Sequence, residues 1–424
     1  MSEEVAASAA VDVVAAGFEF PTSLTFDDQG TAYVAEAGLP FAGAVPGGRV
    51  WRLRPDGERD LLVEGLRPPV NGLTFHAGAL FVSEGGHPAR ISRLDLADSS
   101  LQGVVEGLPG PGNYHTNMTV IGPDGRLYFS QGALTNTGIV GLDAYEVGWL
   151  GRLPHAHDIP GFDLVLTGEN AVTPDPVSDG GEAVTGAFVP FGTSTAAGQT
   201  IPTGLPATAA VMRCDVDGAN LELVAWGLRN AYGLGFLRDG RLLVTDQGPD
   251  DRGSRPVGNA PDLLFEVQPG AWYGWPDFVG GEPVTDPRYR PERGPPLRSL
   301  IANHDQLPAP QRPLVRFPPH SAAVKFDVIP RGAHAGDLLV ALFGDEAPMT
   351  GPPGPTVGRS VARVDSRTWT VHPFLSGLDR PIDVRFDPHA SSVFIVDFGR
   401  FEMTTDGVDA TPGSGRVLRK RWVG

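Results

Sequence analysis

One unit recurs six times along the chain: a Pro- or polar-led loop, an apolar strand, a turn, and a second strand that runs into an acidic or Gly-rich loop. The copies read PTSLTFDDQGTAYVAEAG from Pro21, PPVNGLTFHAGALFVSEGG from Pro68 and HTNMTVIGPDGRLYFSQG from His115. They continue as LRNAYGLGFLRDGRLLVTDQG from Leu228, a weaker HSAAVKFDVIPRGAHAGDLLVALFG from His320, and RPIDVRFDPHASSVFIVDFG from Arg380. The residues between the strands (DDQG, HAG, GPDG, RDG, PHAS) are hairpin signals, because Asp-Gly and Asn-Gly turns match the twist of the flanking strands. Third strands follow at GRVWRLRP (Gly48), ARISRLDL (Ala89), DLLFEVQP (Asp262), RSVARVD (Arg359) and SGRVLRKRW. Six antiparallel units of three to four strands, with no long helical periodicity, predict an all-β fold, a six-bladed β-propeller. A β-sandwich would not repeat the same unit six times.

The chain's 424 residues exceed the usual size of a single core, but a propeller escapes that limit because each repeat adds its own slice of core. One domain over 1–424 is expected. The 56 Gly and 41 Pro would suit disorder, were the apolar residues not gathered into short runs. Spacing is uneven. Long insertions at about 139–208 and 279–319, after the third and fourth hairpins, are expected to build the face of the propeller that carries the site.

A formal net charge of −17 argues against nucleic acid and anionic membranes as partners, since both need a positive field. Cys214 is the single cysteine, which excludes an internal disulfide, a thiol-rich metal site and a CxxCH haem attachment. No apolar run is long enough to span a membrane. The opening MSEEVAASAAVDVVAAG has acids where a signal peptide has cations, so no leader is expected in this sequence.

The residues that open the repeats should ring the central channel: Thr22, Asn71, His115, Arg229 with Asn230, His320 and Arg380. Buried arginines need anions, so Arg229 and Arg380 point to an anionic ligand, or else to internal partners such as Asp246 or Asp383. His115 suits a general base near neutral pH, or a hydrogen-bonded structural role. His155 and His157, beside Asp158, are a candidate metal pair or exposed loop residues. The segment from Thr245, with Asp250, Asp251 and Asp262, is oxygen-rich and thiol-free, which is calcium rather than zinc chemistry.

HTNMTVIGPDGRLYFSQG, WGLRNAYGLGF, TDQGPDDRG…NAPDLLFEVQPGAWYGWP and RPIDVRFD resemble the soluble quinoprotein glucose, aldose and sorbosone dehydrogenases, over about Phe18 to Arg419. The resemblance implies pyrroloquinoline quinone over the channel beside a calcium ion, a sugar, polyol or aldehyde as substrate, and a separate electron acceptor. It implies His115 as the catalytic base, Arg229, Asn230 and Arg380 on the cofactor, and Asn71 on the substrate. It further implies calcium on the carbonyls of Gly248 and Pro249, with Asp262 near a second calcium, and a periplasmic or secreted location if a leader has been removed. The sequence departs from the family pattern at four places. Thr116 and Asn117 follow the histidine in place of a Gly-rich step, and Tyr114 stands where an acid often precedes it. ALFGDEAPMTG lacks the fifth-blade lysine, and Ile382 replaces one of two arginines. Fewer cations predict weaker binding of a trianionic cofactor. Two other readings stay open: a metal-dependent propeller hydrolase, lactonase or lyase using His115, His320 or Asp262, and a non-catalytic ligand-binding propeller.

Overall fold

The computed structural model describes residues 11–178, 180–292, 294–346, 351, 354–404 and 407–422. Six blades, each with four antiparallel strands, surround a channel; the third adds a short parallel strand, Ala271–Trp272, at its outer edge. The innermost strands are Pro21–Phe26, Val70–His76, Thr116–Ile121, Ala231–Phe236, Ala323–Val328 and Pro381–Phe386. Each predicted hairpin is the inner pair of a blade. The third strands fall at Gly48–Leu53, Ala89–Asp95, Pro261–Glu266, Ser360–Val364 and Gly415–Arg421. In the third blade that strand, Ala210–Cys214, comes only after the first insertion.

Part of the opening stretch forms a strand. Asp12–Phe18 pairs antiparallel with Gly415–Arg421 and forms the outer edge of the sixth blade. These two strands, far apart in sequence, thereby close the circle. Between blades the inward faces pack into apolar clusters, such as Phe18, Val384, Ile395 and Val417, or Phe129, Met212 and Trp226. Burying each such side chain contributes about 1.5–3 kcal/mol.

A second regularity was not read from the sequence. Every innermost strand breaks register near its first residues, at Pro21/Ser23, Val70/Gly72, Thr116/Thr119, Ala231/Gly233, Ala323/Phe326 and Pro381/Asp383. A bulge leaves a residue unpaired in the ladder and re-aims its side chain. The bulges are crowded against the neighbouring blade. A Cβ on Gly72 would lie 2.2 Å from Asn117 O, and one on Gly233 would lie 2.5 Å from Val324 O, so only glycine fits after these two bulges.

The insertions behave differently from expectation. Residues 164–167 and 300–303 are joined by Thr167 N to Leu300 O and Ala302 N to Val165 O. Asp277 locks the pair, accepting from Leu300 N, Ile301 N and Arg255. The two insertions are thus tied to each other. Among the described residues, the first reaches the central cavity only through Glu146 and Val147, and none of 279–319 lines it. Val315–Pro319, counted with the second insertion, is the outer strand of the fourth blade.

Candidate functional site

A cavity of about 600 Å³ opens at the end of the channel where the bulges lie. The unpaired residues Thr22, Asn71, Asn117, Tyr232, Val324 and Ile382, one from each bulge, all line it. Of the residues expected to ring the channel, Thr22, Asn71, His115, Arg229, Asn230 and His320 are at its wall. Arg380 is not.

Arg380 is a correction to the expected ring. Its guanidinium is turned away and consumed by Phe401 O (2.9 Å), Asp345 O (2.6 Å) and Glu402 (2.8 Å). The next-but-one residue, Ile382, takes the wall position because the bulge aims it there. Arg229 does face the cavity, lying over the Tyr114 ring at 4.2 Å. It is nevertheless paired internally, with Asp250 at 2.6 Å and Gln247 O at 3.0 Å. The partners differ from those considered: Asp250 and Glu402 take the roles considered for Asp246 and Asp383. Asp246 instead accepts from Asn230 N, and burial pushes its carboxyl up to about 7.

His115 stands at the wall, held by the tightly pinned segment before it. Tyr114 donates to Asp250 at 3.1 Å, and Asn113 donates to Asp143 at 2.6 Å while accepting from Trp149. Gly85 leaves room for the histidine, since a Cβ there would approach its Cβ to 2.8 Å. The Nδ1 atom is sealed from solvent and has no hydrogen-bond partner among the described residues. Burial pushes the imidazole down to about 4, so the ring is neutral at physiological pH.

Four side-chain amides form a directional ladder of three hydrogen bonds across the floor. Asn71 Nδ2 donates to Asn117 Oδ1 (3.0 Å), Asn117 Nδ2 to Asn230 Oδ1 (2.9 Å), and Asn230 Nδ2 to Gln247 Oε1 (2.7 Å). Asn117, noted in the sequence only as a departure from a Gly-rich step, and Gln247 were not expected at the site, nor was Lys325. Fully buried beneath the floor, Lys325 Nζ donates to the carbonyls of Thr22 and Asn71, two bulge residues. Burial pushes it down to about 7.

The acids of the segment from Thr245 go three separate ways. Asp250 joins Arg229 and Arg252, and Asp251 accepts from Glu292 N. Asp262 is spent on Gly248 N, Ser321 and Ala323 N, with burial pushing it up to about 6. It therefore holds the Gly248–Pro249 turn in place. Those two residues line the cavity, and neither carbonyl accepts a hydrogen bond among the described residues. Of the candidate metal pair beside Asp158, His157 is engaged in the fold, as is Asp158 itself. His157 bonds to Asp158 O, while the Asp158 carboxylate is taken by Leu134 N and Thr135. No cluster of three or more His, Cys, Asp or Glu suited to a metal occurs among the described residues. His320 reaches the wall at φ 64 and Ala322 at φ 49, a strained stretch of the kind that collects at binding sites.

No family model matches the sequence, and no curated protein matches it. Solved structures do. The glucose dehydrogenase-like oxidoreductase of Thermus thermophilus is 19% identical, with 97% of this chain and 99% of that one covered at a TM-score of 0.58. The PQQ-bound aldose sugar dehydrogenase of Streptomyces coelicolor is 16% identical, with 97% of each chain covered and a TM-score of 0.57. The holo PQQ domain of Coprinopsis cinerea pyranose dehydrogenase is 14% identical, covering 99% and 97%, with a TM-score of 0.58. The six-bladed frame of this chain is the frame of those sugar dehydrogenases.

Proposed function

We propose that the cavity is the active site of an oxidoreductase acting on the CH–OH or aldehyde group of a sugar-like substrate, with pyrroloquinoline quinone beside calcium as acceptor and His115 as base. The observation that carries this reading is a neutral, cavity-facing histidine beside Arg229, Asn230 and the Gly248–Pro249 turn. The ring is held by pinned neighbours rather than by an acid partner. His115 would take the hydroxyl proton as the substrate's carbon is oxidised. The amide ladder would orient the hydroxyls, with Asn71 Oδ1 able to accept at one end and Gln247 Nε2 able to donate at the other.

The fourth blade fits the cofactor. Two unbonded carbonyls, on Gly248 and Pro249, suit a hard cation, and Arg229 with Asn230 would meet one edge of the quinone. When bound, the quinone supplies the two-electron acceptor that no side chain offers. The fifth and sixth blades fit it poorly, for Ile382 and Phe343 stand on the wall and Arg380 is consumed elsewhere. A charge-assisted hydrogen bond contributes about 1.5–3 kcal/mol. Restoring one with Ile382→Arg should tighten quinone binding by about tenfold or more, read by calorimetry.

The deciding experiment titrates metal-stripped protein with pyrroloquinoline quinone, with and without calcium, beside dye reduction by aldoses. Calcium-dependent binding, with dye reduction lost in His115→Ala, supports the reading. Absence of binding at every calcium level sinks it. A second reading then takes its place, hydrolysis of a lactone, for which the cavity offers His115 and His320 with Glu146 and Glu346 on the same lining.

A further inference from the structure

The cavity has two unlike halves. Blades two to four contribute the amides, His115 and the Arg229–Asp250 pair. The opposite half presents a run of hydrocarbon, Phe343, Ile382, Phe398 and Phe401, each at least nine-tenths buried, alongside Glu346 and His320 of the fifth blade. The phenylalanine rings are braced against one another, Phe343 on Phe398 at 5.5 Å and Phe398 on Phe401 at 5.6 Å.

A hairpin extends this wall towards the mouth of the cavity. In Phe401–Thr404, paired with Gly407–Ala410, residues alternate: Phe401 and Met403 turn inward while Glu402 and Thr404 are exposed. Val408 opposes Met403 across the hairpin, and both line the cavity. Phe401 in turn meets Phe41 of the first blade's loop at 5.3 Å. A free sugar carries hydroxyls all round its rim and, set edge-on against such a wall, would leave several unpaired, at a desolvation cost for each. An alkyl or aryl group would bury there at a gain.

We infer that the ligand of this cavity is amphipathic, with a hydroxylated head on the amide ladder and an alkyl or aryl substituent against the phenylalanine wall. The class is an alkyl or aryl glycoside, or a polyol similarly substituted, rather than an unsubstituted sugar. This rests on the reading of the cavity as a site for sugar-like substrates and names which of them it takes.

The test is calorimetric titration of the full chain with methyl, butyl, hexyl and octyl β-glucosides, each below its micelle concentration, with dye reduction followed in parallel on the same series and on glucose. The dissociation constant should fall about fourfold per methylene until the wall is filled. In Met403→Ser and Val408→Ser, on a partly exposed hairpin and checked for unchanged unfolding, the long-chain gain should shrink while methyl glucoside binds as before. A dissociation constant independent of chain length overturns the inference, as does a gain that survives in both variants. Length-dependent binding with no dye reduction on either the glucosides, whose O1 is blocked, or glucose, whose O1 is free, upholds the amphipathic site and defeats the redox reading. Dye reduction on glucose with a flat length series does the reverse.

Discussion

Two side chains decide how the site works, and both owe their state to burial. His115 has lost access to water on its Nδ1 side, so the proton that an exposed imidazole would take near pH 6.5 is refused until about pH 4. A carbon-13-labelled histidine followed by NMR should therefore show one ring that stays neutral down to pH 5. A midpoint near 6.5 for every ring would contradict the environment described. Lys325 serves the frame, because bulges free the carbonyls of Thr22 and Asn71 from their ladders and one ammonium satisfies both. Lys325→Met should destabilise the protein by about 1–3 kcal/mol for each carbonyl left unpaired, measured by denaturant unfolding. The histidine was legible in the sequence because NYHTNM opens a repeat. The lysine was not, for AAVKFD reads as an ordinary strand and only the bulge turns its side chain beneath the cavity.

At the scale of the strand, the same device is used six times. A bulge at the start of each innermost strand lifts one residue out of the ladder and into the cavity. The hairpin turns made the six copies visible in the sequence. They left the bulges hidden, because strand alternation alone cannot say which residue is the extra one. That is why Arg380 was expected at the wall and Ile382 was found there, two residues on. The dipeptides PT, VN, TN, AY, AV and PI, read in alignment at the start of the six copies, carry the signal that could have revealed it. Gly72→Ala tests the crowding that the bulges create. Its Cβ would meet a backbone oxygen that cannot move alone, and overpacking of this kind costs about 1–3 kcal/mol. The unfolding midpoint should fall, whereas Gly78→Ala, with open space around it, should lower it less and only through the positive φ of 76° at that site.

For the molecule as a whole, buried acids set how stability depends on pH. Asp246 is held up to about 7 in the fold and titrates near 4 when unfolded. Between those values the folded chain keeps a proton that the unfolded chain has released. Its stabilising contribution is complete below about pH 4 and is lost as pH rises through about 7. Asp246→Asn preserves an oxygen for Asn230 N and removes this loss. The variant should gain stability relative to the native chain as pH goes from 5 to 8, and a difference that stays constant with pH would show that the group is ionised in the fold.

The pairing of Asp12–Phe18 with Gly415–Arg421 also has a consequence in time. A ribosome makes the first strand long before its partner, with Asp12 and Arg419 in contact across 407 residues. At ~5–20 residues per second the first strand waits roughly 20–80 s for its neighbour, an open edge beside four or five blades already able to fold. Its sequence bears the marks of that wait: only Ala15 and Phe18 are buried in the finished blade, while Val13 is left exposed. A nascent edge with so little apolar surface gives other chains little to seize.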